Sequence, residues 1–417
     1  MPSHSSLKVD PIAAAPELWR TLDLGNPTDE HRMLRETVRA FVEAEVEPQA
    51  LEHDRAERFN LPLFRKLGEI GLLGLTVPEA YGGSGMDATA AAIAHEELAA
   101  SDPGLCLAYL AHAMLCANNL AVNGSEEQKS RLLPGLCSGA KIGAMAMSEP
   151  AVGTDVMALE TRARPEGDGF VIDGQKMWIT NGVIDEGGTP ADVVWLYART
   201  GTTGHRPQIS TFIVEKGAPG FASGQKIRDK TGMRASNTAE LVFTGCRIPR
   251  GNLVGHEGQS MHHMMRNLEI ERVTLAAMSV GIARRALEIM NRYANERMAF
   301  GKPLSAFGQV QRHISESYAE FKASRAYLYD TARRLDLRGG PSMRVDSDGV
   351  KLFAATVAKN IADRAIQTLG GYGYVGEYVV ERLWRDAKLL EIGGGTLEAH
   401  QKNIARDLAK DALPILV

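Results

Sequence analysis

The sequence predicts an α+β fold, mainly helical, in which one β segment separates two helical ones. Three observations carry this. Apolar residues recur at helical spacing up to about residue 140 and again beyond about residue 256. Between those limits the period shortens to β-branched and aromatic runs bounded by turn residues. Strands and helices never alternate as βαβ units, which argues against a Rossmann arrangement.

The first helical run, EHRMLRETVRAFVEAEVEP, places Leu34, Val38, Phe41, Val42 and Val46 on one face, and Pro48 is expected to end it. Residues 87–100 and 105–122 repeat the pattern on either side of Ser-Asp-Pro-Gly. Ser125-Glu-Glu-Gln has the spacing of a capping box. GFVIDGQKMWIT, ADVVWLYART, ISTFIVEK and TAELVFTG then read as the strands of a compact antiparallel sheet, with EGDG, DG, GG and Pro-Gly as its turns. Helices return in LEIERVTLAAMSVGIARRALEIMNRYANERMAF and DGVKLFAATVAKNIADRAIQTLGG. The expected units are an extension at 1–27, helices at 28–143, the sheet at 144–255 and helices at 256–417. The clusters GGYGYVG and GGGT do not open a helix after a strand, so neither reads as a dinucleotide fingerprint.

The balance of 47 basic and 51 acidic residues, net −4, supplies no long-range pull toward nucleic acid or an anionic membrane. No stretch is expected to reach the ~20 apolar residues of a membrane span, and the N-terminus does not read as a targeting peptide. Cys106, Cys116, Cys137 and Cys246 show no metal-like spacing, so no metal site is expected. Cys106 and Cys116 read as packing thiols, which points to a reducing compartment, the cytoplasm.

AMAMSEPAVGTDV (144–156), QKMWITNG (175–182), DKTGMRASNTAELVF, ERMAFGKPL, LGGYGY and RDAKLLEIGGGT follow one another along the chain. Together with LEIERVTL, these blocks resemble the acyl-CoA dehydrogenase family, nearest its isovaleryl-CoA branch. The resemblance covers nearly the whole chain beyond residue 28. It implies an N-terminal helical domain, a middle antiparallel β-barrel and a C-terminal four-helix bundle, with FAD between them. It implies that Met145, Met147, Ser148, Gly153, Thr154, Trp178, Ile179 and Thr180 line the flavin, with Thr154 in place of the usual Ser. Arg297, Phe300, Gln367, Gly370 and Gly371 match contacts to the far end of FAD that cross a subunit interface, so a homotetramer, a dimer of dimers, is expected. Thr396 and Glu398 are further FAD-side matches. Gly308 stands where a Gln commonly touches FAD, with Gln309 beside it as the substitute, and Leu397 replaces a small polar residue.

In this family the catalytic carboxylate stands at either of two positions, and here they hold Glu271 and Gly394. Abstracting an α-proton beside a thioester needs a carboxylate in a dry site, and the resemblance assigns that role to Glu271. Glu269, two residues away, faces about 200° around the helix and cannot share it. Gly394 keeps a backbone N–H for the thioester oxygen and leaves room for a branched acyl chain. Leu107 and Ala111 match acyl-pocket residues, although each equally suits an apolar helix face. Thr154, Arg272 and Gly395 are matched to the substrate as well. His262, Arg266 and Asn267 depart from the branch, and His262 and Asn267 are candidate substrate contacts. The loop at 183–190 is expected to lie outside the site.

The expectation is therefore FAD-dependent α,β-dehydrogenation of a short branched acyl-CoA, with electron-transfer flavoprotein taking the electrons. A bulkier cyclic, aryl or dicarboxylic acyl-CoA is the alternative substrate. An acyl-CoA or nitroalkane oxidase and a non-catalytic relative are the remoter alternatives.

Overall fold

The computed structural model describes residues 23–204 and 206–411; the expectation about a targeting peptide falls outside them. Helix α1 (Asp29–Phe41) opens where Thr28 Oγ1 accepts the His31 N–H. It passes without a break through a π-helical turn, Val42–Val46, into α2 (Glu47–Ala56). Pro48 therefore does not end the run. A proline ring collides with the carbonyl four residues back and offers it no N–H. The wider π register immediately upstream opens the ladder at that point. The helix stops instead at Glu57, with φ +49°.

Helix α3 (Leu61–Glu69) precedes α4 (Ala88–Ser101), which is capped by Asp87 accepting from Ala90 N at 2.9 Å. Asp102 caps α5 (Pro103–Tyr109) in the same way, and a second π-helical stretch, Leu110–Asn118, carries it into α6 (Asn119–Asn123). This corrects one expectation: the 21 residues Pro103–Asn123 are apolar enough to cross a membrane by length and composition. Their most apolar window is 83% buried within the protein. A helix that is apolar all round is what a fully surrounded core helix requires. The predicted capping box opens α7 (Glu126–Cys137), with both reciprocal bonds formed between Ser125 and Gln128.

Eight strands form one sheet: β1 (Gly143–Ala146), β2 (Arg162–Glu166), β3 (Gly169–Thr180), β4 (Val193–Thr203), β5 (Arg206–Glu215), β6 (Phe221–Lys226), β7 (Thr238–Pro249) and β8 (Leu253–Val254). Their order is β6-β7-β3-β2-β4-β5-β8, with β1 added against β4. Most ladders are antiparallel, as expected, but β1 pairs with β4 in parallel and β2 meets β4 in parallel at Arg162 and Arg199. The sheet is thus mixed, and its outer strands β6 and β8 do not pair with each other. Alternating burial reports which face a side chain takes, not the direction of the neighbouring strand.

The C-terminal helices are α8 (Met261–Glu296), α9 (Gly308–Arg334), α10 (Arg344–Leu369), α11 (Val380–Leu390) and α12 (Leu397–Asp411). Helix α8 packs against α4, α9 and α10. A Cβ at Gly281 would lie 2.3 Å from the Glu96 carbonyl, so glycine permits α8 and α4 to touch backbone to backbone. One apolar core joins the N-terminal and C-terminal helices, and the sheet interior holds its own around Phe170, Phe212 and Phe243. All four cysteines are buried and unpaired.

Candidate active site

A cleft of about 660 Å³ opens where the helical halves meet the sheet. It gathers Met145, Met147, Ser148, Gly153, Thr154, Trp178, Ile179, Thr180, Glu271, Gly394, Gly395 and Thr396 from segments more than 250 residues apart. The loop at 183–190 does not line it.

The strand ends are aimed by local irregularities. The β3–β7 register slips between Lys176 and Ile179, and Trp178 sits in that bulge at φ +60°. A bulge re-aims side chains; here Trp178 is 55% exposed between the half-buried Met177 and the buried Ile179 and faces the cleft. Asn181, also at φ +60°, ties the end of β3 to Ala108 O and Gly143 O. Lys176, fully buried, donates to Met147 O at 2.9 Å and to Glu149 Oε1 at 2.8 Å. Burial lowers its pKa to about 8 even with Glu149 opposing the shift. Ser148 O accepts from Met177 N, so the Met147–Ser148 backbone is held against β3.

Glu271 comes from α8. Part of its side chain remains open to the cleft, yet the protein packed around the carboxyl pushes its pKa up to about 7; Arg272 and Lys351 oppose that shift. Gly394 lies opposite, at φ +66°. A Cβ there would stand 2.4 Å from Leu275 Cδ1 and 3.5 Å from Glu271 Oε1. Contrary to expectation, Gly394 therefore does not hold acyl space open: the place a side chain would take is filled by Leu275 and bordered by the Glu271 carboxylate. Leu107, Leu110, Ala111, Leu115 and Leu275 supply the apolar wall, the first four from α5 and its π-helical continuation.

A smaller cavity of about 250 Å³ shares Glu271, Thr154 and Gly394 with the cleft and runs out past Arg272, Arg344, Lys402 and Arg406. Arg272 is held by Asp348 at 3.1 Å.

Not every expected residue arrives here. His262 is exposed and lines neither cavity. Asn267 is fully buried one turn before Glu271 and lines neither cavity; its Oδ1 accepts from Asn119 Nδ2 at 2.6 Å. Four residues turn a helix only about 40° past a full circle, so Asn267 keeps nearly the direction of Glu271, but its amide is engaged by Asn119 instead of the cleft. Arg266 pairs with Glu269, which also accepts from Ser342 and Met343 N. Glu269 is thus turned away, as expected.

Arg297, Phe300, Gln309, Gln367, Gly370, Gly371 and Glu398 are exposed and none lines the cleft. Arg297, Gly370 and Gly371 instead share a separate concavity of about 570 Å³ with Tyr372. Phe300 is 95% exposed. Lys230, Lys351, Asp348 and His400 were not singled out in the sequence. The signal was available in SDGVKLFAA, where Asp348 and Lys351 fall on a helix face otherwise buried.

Fold and cleft together define a three-part helical–sheet–helical protein with its candidate site at the junction. Family models agree across the chain: acyl-CoA dehydrogenase N-terminal domain at 28–140, middle domain at 144–246 and C-terminal domain at 258–409. A mitochondrial isovaleryl-CoA dehydrogenase of Solanum tuberosum is 41% identical, covering 92% of this chain and 91% of its own. Butyryl-CoA dehydrogenase from Megasphaera elsdenii superposes with a TM-score of 0.87 at 34% identity, over 92% of this chain and 99% of that one. An acyl-CoA dehydrogenase complexed with FAD from Bacillus anthracis gives 0.84 at 30% identity, over 92% and 68%. The chain belongs to the acyl-CoA dehydrogenase family. It is an oxidoreductase whose cofactor is FAD. The cleft fits that group: Met145, Met147, Trp178 and Ile179 offer apolar surface, and Ser148, Thr180 and Thr396 offer hydroxyls beside it.

Proposed function

We propose that the protein oxidises a short branched acyl-CoA, of the isovaleryl type, to its 2-enoyl-CoA. The observation that carries this is the Glu271 carboxylate set opposite Gly394 in a cleft walled by Leu107, Ala111 and Leu275. Glu271 takes the α-proton onto a carboxylate oxygen as the β-hydrogen leaves with its electron pair and the Cα–Cβ double bond forms. Bound FAD supplies the acceptor for that hydride. A carboxyl with a pKa near 7 is basic enough to take the proton and still roughly half ionised at neutral pH. The Gly394 N–H stabilises the charge that develops on the thioester oxygen. Met145, Met147, Ser148, Gly153, Thr154, Trp178, Ile179, Thr180 and Thr396 hold the flavin end of the site.

The apolar wall of Leu107, Leu110, Ala111, Leu115 and Leu275 favours a hydrocarbon acyl group over one ending in a carboxylate. His262, Arg266 and Asn267, the residues that would serve a bulkier or acidic substrate, line neither cavity. Arg297, Phe300, Gln367, Gly370 and Gly371 complete the cofactor site from a second copy of the chain, in keeping with a dimer of dimers, while Gln309 and Glu398 remain FAD-side candidates. Electron-transfer flavoprotein takes the electrons onward, and the four buried free cysteines suit a cytoplasmic setting.

The test is Glu271→Gln. The purified variant keeps its yellow flavin but is no longer bleached anaerobically by isovaleryl-CoA; retained turnover overturns the assignment. The same assay across an acyl-CoA panel ranks the substrates.

A further inference from the structure

Two buried side chains outside the reaction centre take part in holding it. Asp348 on α10 and His400 on α12 are both fully buried, and His400 Nδ1 hydrogen-bonds Asp348 Oδ1. A carboxylate can only accept, so the imidazole carries its proton on Nδ1. The same carboxylate oxygen holds Arg272 Nη1 at 3.1 Å.

Two successive backbone carbonyls end on this network. Arg272 Nε donates to Gly394 O at 3.4 Å, and Lys351 Nζ donates to Gly395 O at 2.6 Å. Gly395, at φ +103°, lies flat against the imidazole: a Cβ there would stand 3.0 Å from His400 Cε1 and 3.4 Å from Nε2. Two adjacent glycines at positive φ are free to take several conformations. Here the carbonyls and the packing select one.

We infer that Asp348 and His400 are positioning residues for the dehydrogenation: they fix the Gly394–Gly395 backbone and keep the Arg272 charge engaged beside Glu271. The inference rests on the proposed roles of Glu271 and the Gly394 N–H. Asp348 acts through Arg272, and His400 acts through Asp348 and through contact with Gly395. A misplacement of about 1 Å at a reacting group costs on the order of a hundredfold in rate, so loosening this loop falls on the chemical step more than on binding.

The electrostatic consequence has a definite sign. The groups around Glu271 are Arg272 beside it on α8, Lys351 and Asp348 from α10, His400 from α12 and Tyr197 from β4, with Glu391 at the end of α11 acting on Lys351. Arg272 and Lys351 both favour the charged carboxylate. Removing the negative charge of Asp348 leaves Arg272 uncompensated and makes Glu271 a weaker base.

The experiment measures anaerobic flavin bleaching by isovaleryl-CoA in the holoenzyme and in Asp348→Asn, His400→Leu and His400→Asn, with flavin content and melting temperature recorded for each. Asp348→Asn and His400→Leu are expected to slow bleaching at saturating isovaleryl-CoA by about tenfold or more. The half-saturating concentration should move far less. Asp348→Asn also shifts the pH midpoint of bleaching downward. His400→Asn, whose amide N–H can still donate to Asp348, recovers most of the rate. Variants that lose only flavin or thermal stability, with rate and midpoint unchanged, overturn the inference. A wild-type enzyme that isovaleryl-CoA fails to bleach overturns the substrate reading beneath it. A bleaching wild type with indifferent variants overturns the inference alone.

Discussion

Lys351 donates a 2.6 Å hydrogen bond to the Gly395 carbonyl, and its ammonium also lowers the pKa of the Glu271 carboxyl. One buried cation therefore touches both halves of the proposed reaction centre, the loop through its hydrogen bond and the base through its field.

That field makes a pH prediction. Glu271 must be ionised to accept a proton, so bleaching of the free enzyme should rise with pH about a midpoint near 7. Lys351→Met removes a charge that favours the carboxylate, and the midpoint should move up. Stopped-flow rates at limiting substrate across pH 5 to 9 check both. Stability runs the other way. The folded pKa is raised above that of the unfolded chain, so folding is favoured at low pH, and this contribution is lost as pH rises toward about 7. Glu271→Gln should thus melt higher than wild type above neutrality, and the gap should close on acidification.

Gly394→Ala tests the packing opposite Glu271. A side chain at φ +66° costs roughly 1 to 2 kcal/mol, and its Cβ meets Leu275 Cδ1 at 2.4 Å. The melting temperature should fall and bleaching should slow. Pairing the change with Leu275→Ala should restore part of the stability.

Lys176 and Glu149 form a buried pair beneath the Met147–Ser148 backbone. Lys176→Met leaves the buried Glu149 carboxylate with only the Glu160 and Thr161 N–H groups to hold it, and losses from breaking a buried pair run to about 3 to 5 kcal/mol. Denaturant unfolding should show that drop, accompanied by loss of bound flavin. Replacing both partners, as Lys176→Met with Glu149→Gln, should cost less.

Arg297→Glu tests completion of the cofactor site by a second chain. The residue lies beside Gly370 and Gly371, outside the cleft. Flavin per chain should fall, while Glu271 and its surroundings stay folded by circular dichroism. Phe300→Asp should shift the protein to a smaller species on size exclusion.

The helical–sheet–helical order was legible because the longer elements carry their own periodicity, and capping at Ser125 follows from local chemistry; β1, β2, β6 and β8 are too short to show a period and were not legible. Pro48 misled because the π turn that accommodates it leaves no mark in the hydrophobic pattern. Strand direction at β1 was hidden for a similar reason, since a parallel and an antiparallel neighbour bury the same face. Within the cleft, block motifs marked Trp178, Thr180 and Gly394, whose positions are fixed by backbone irregularities. Asn267 and His262 were misplaced because helical spacing gives a residue's angle but not which neighbour lies at that angle. Asp348 and His400, 52 residues apart, meet only through tertiary packing.

The Arg297 concavity and the exposed Phe300 stand apart from the cleft on a single chain. With the cofactor site completed by a second copy, as proposed, cofactor capture and subunit association become one equilibrium: dilution should release flavin, and added flavin should draw protomers together. For such a protein, a flavin-to-chain ratio has meaning only alongside the protein concentration at which it was measured.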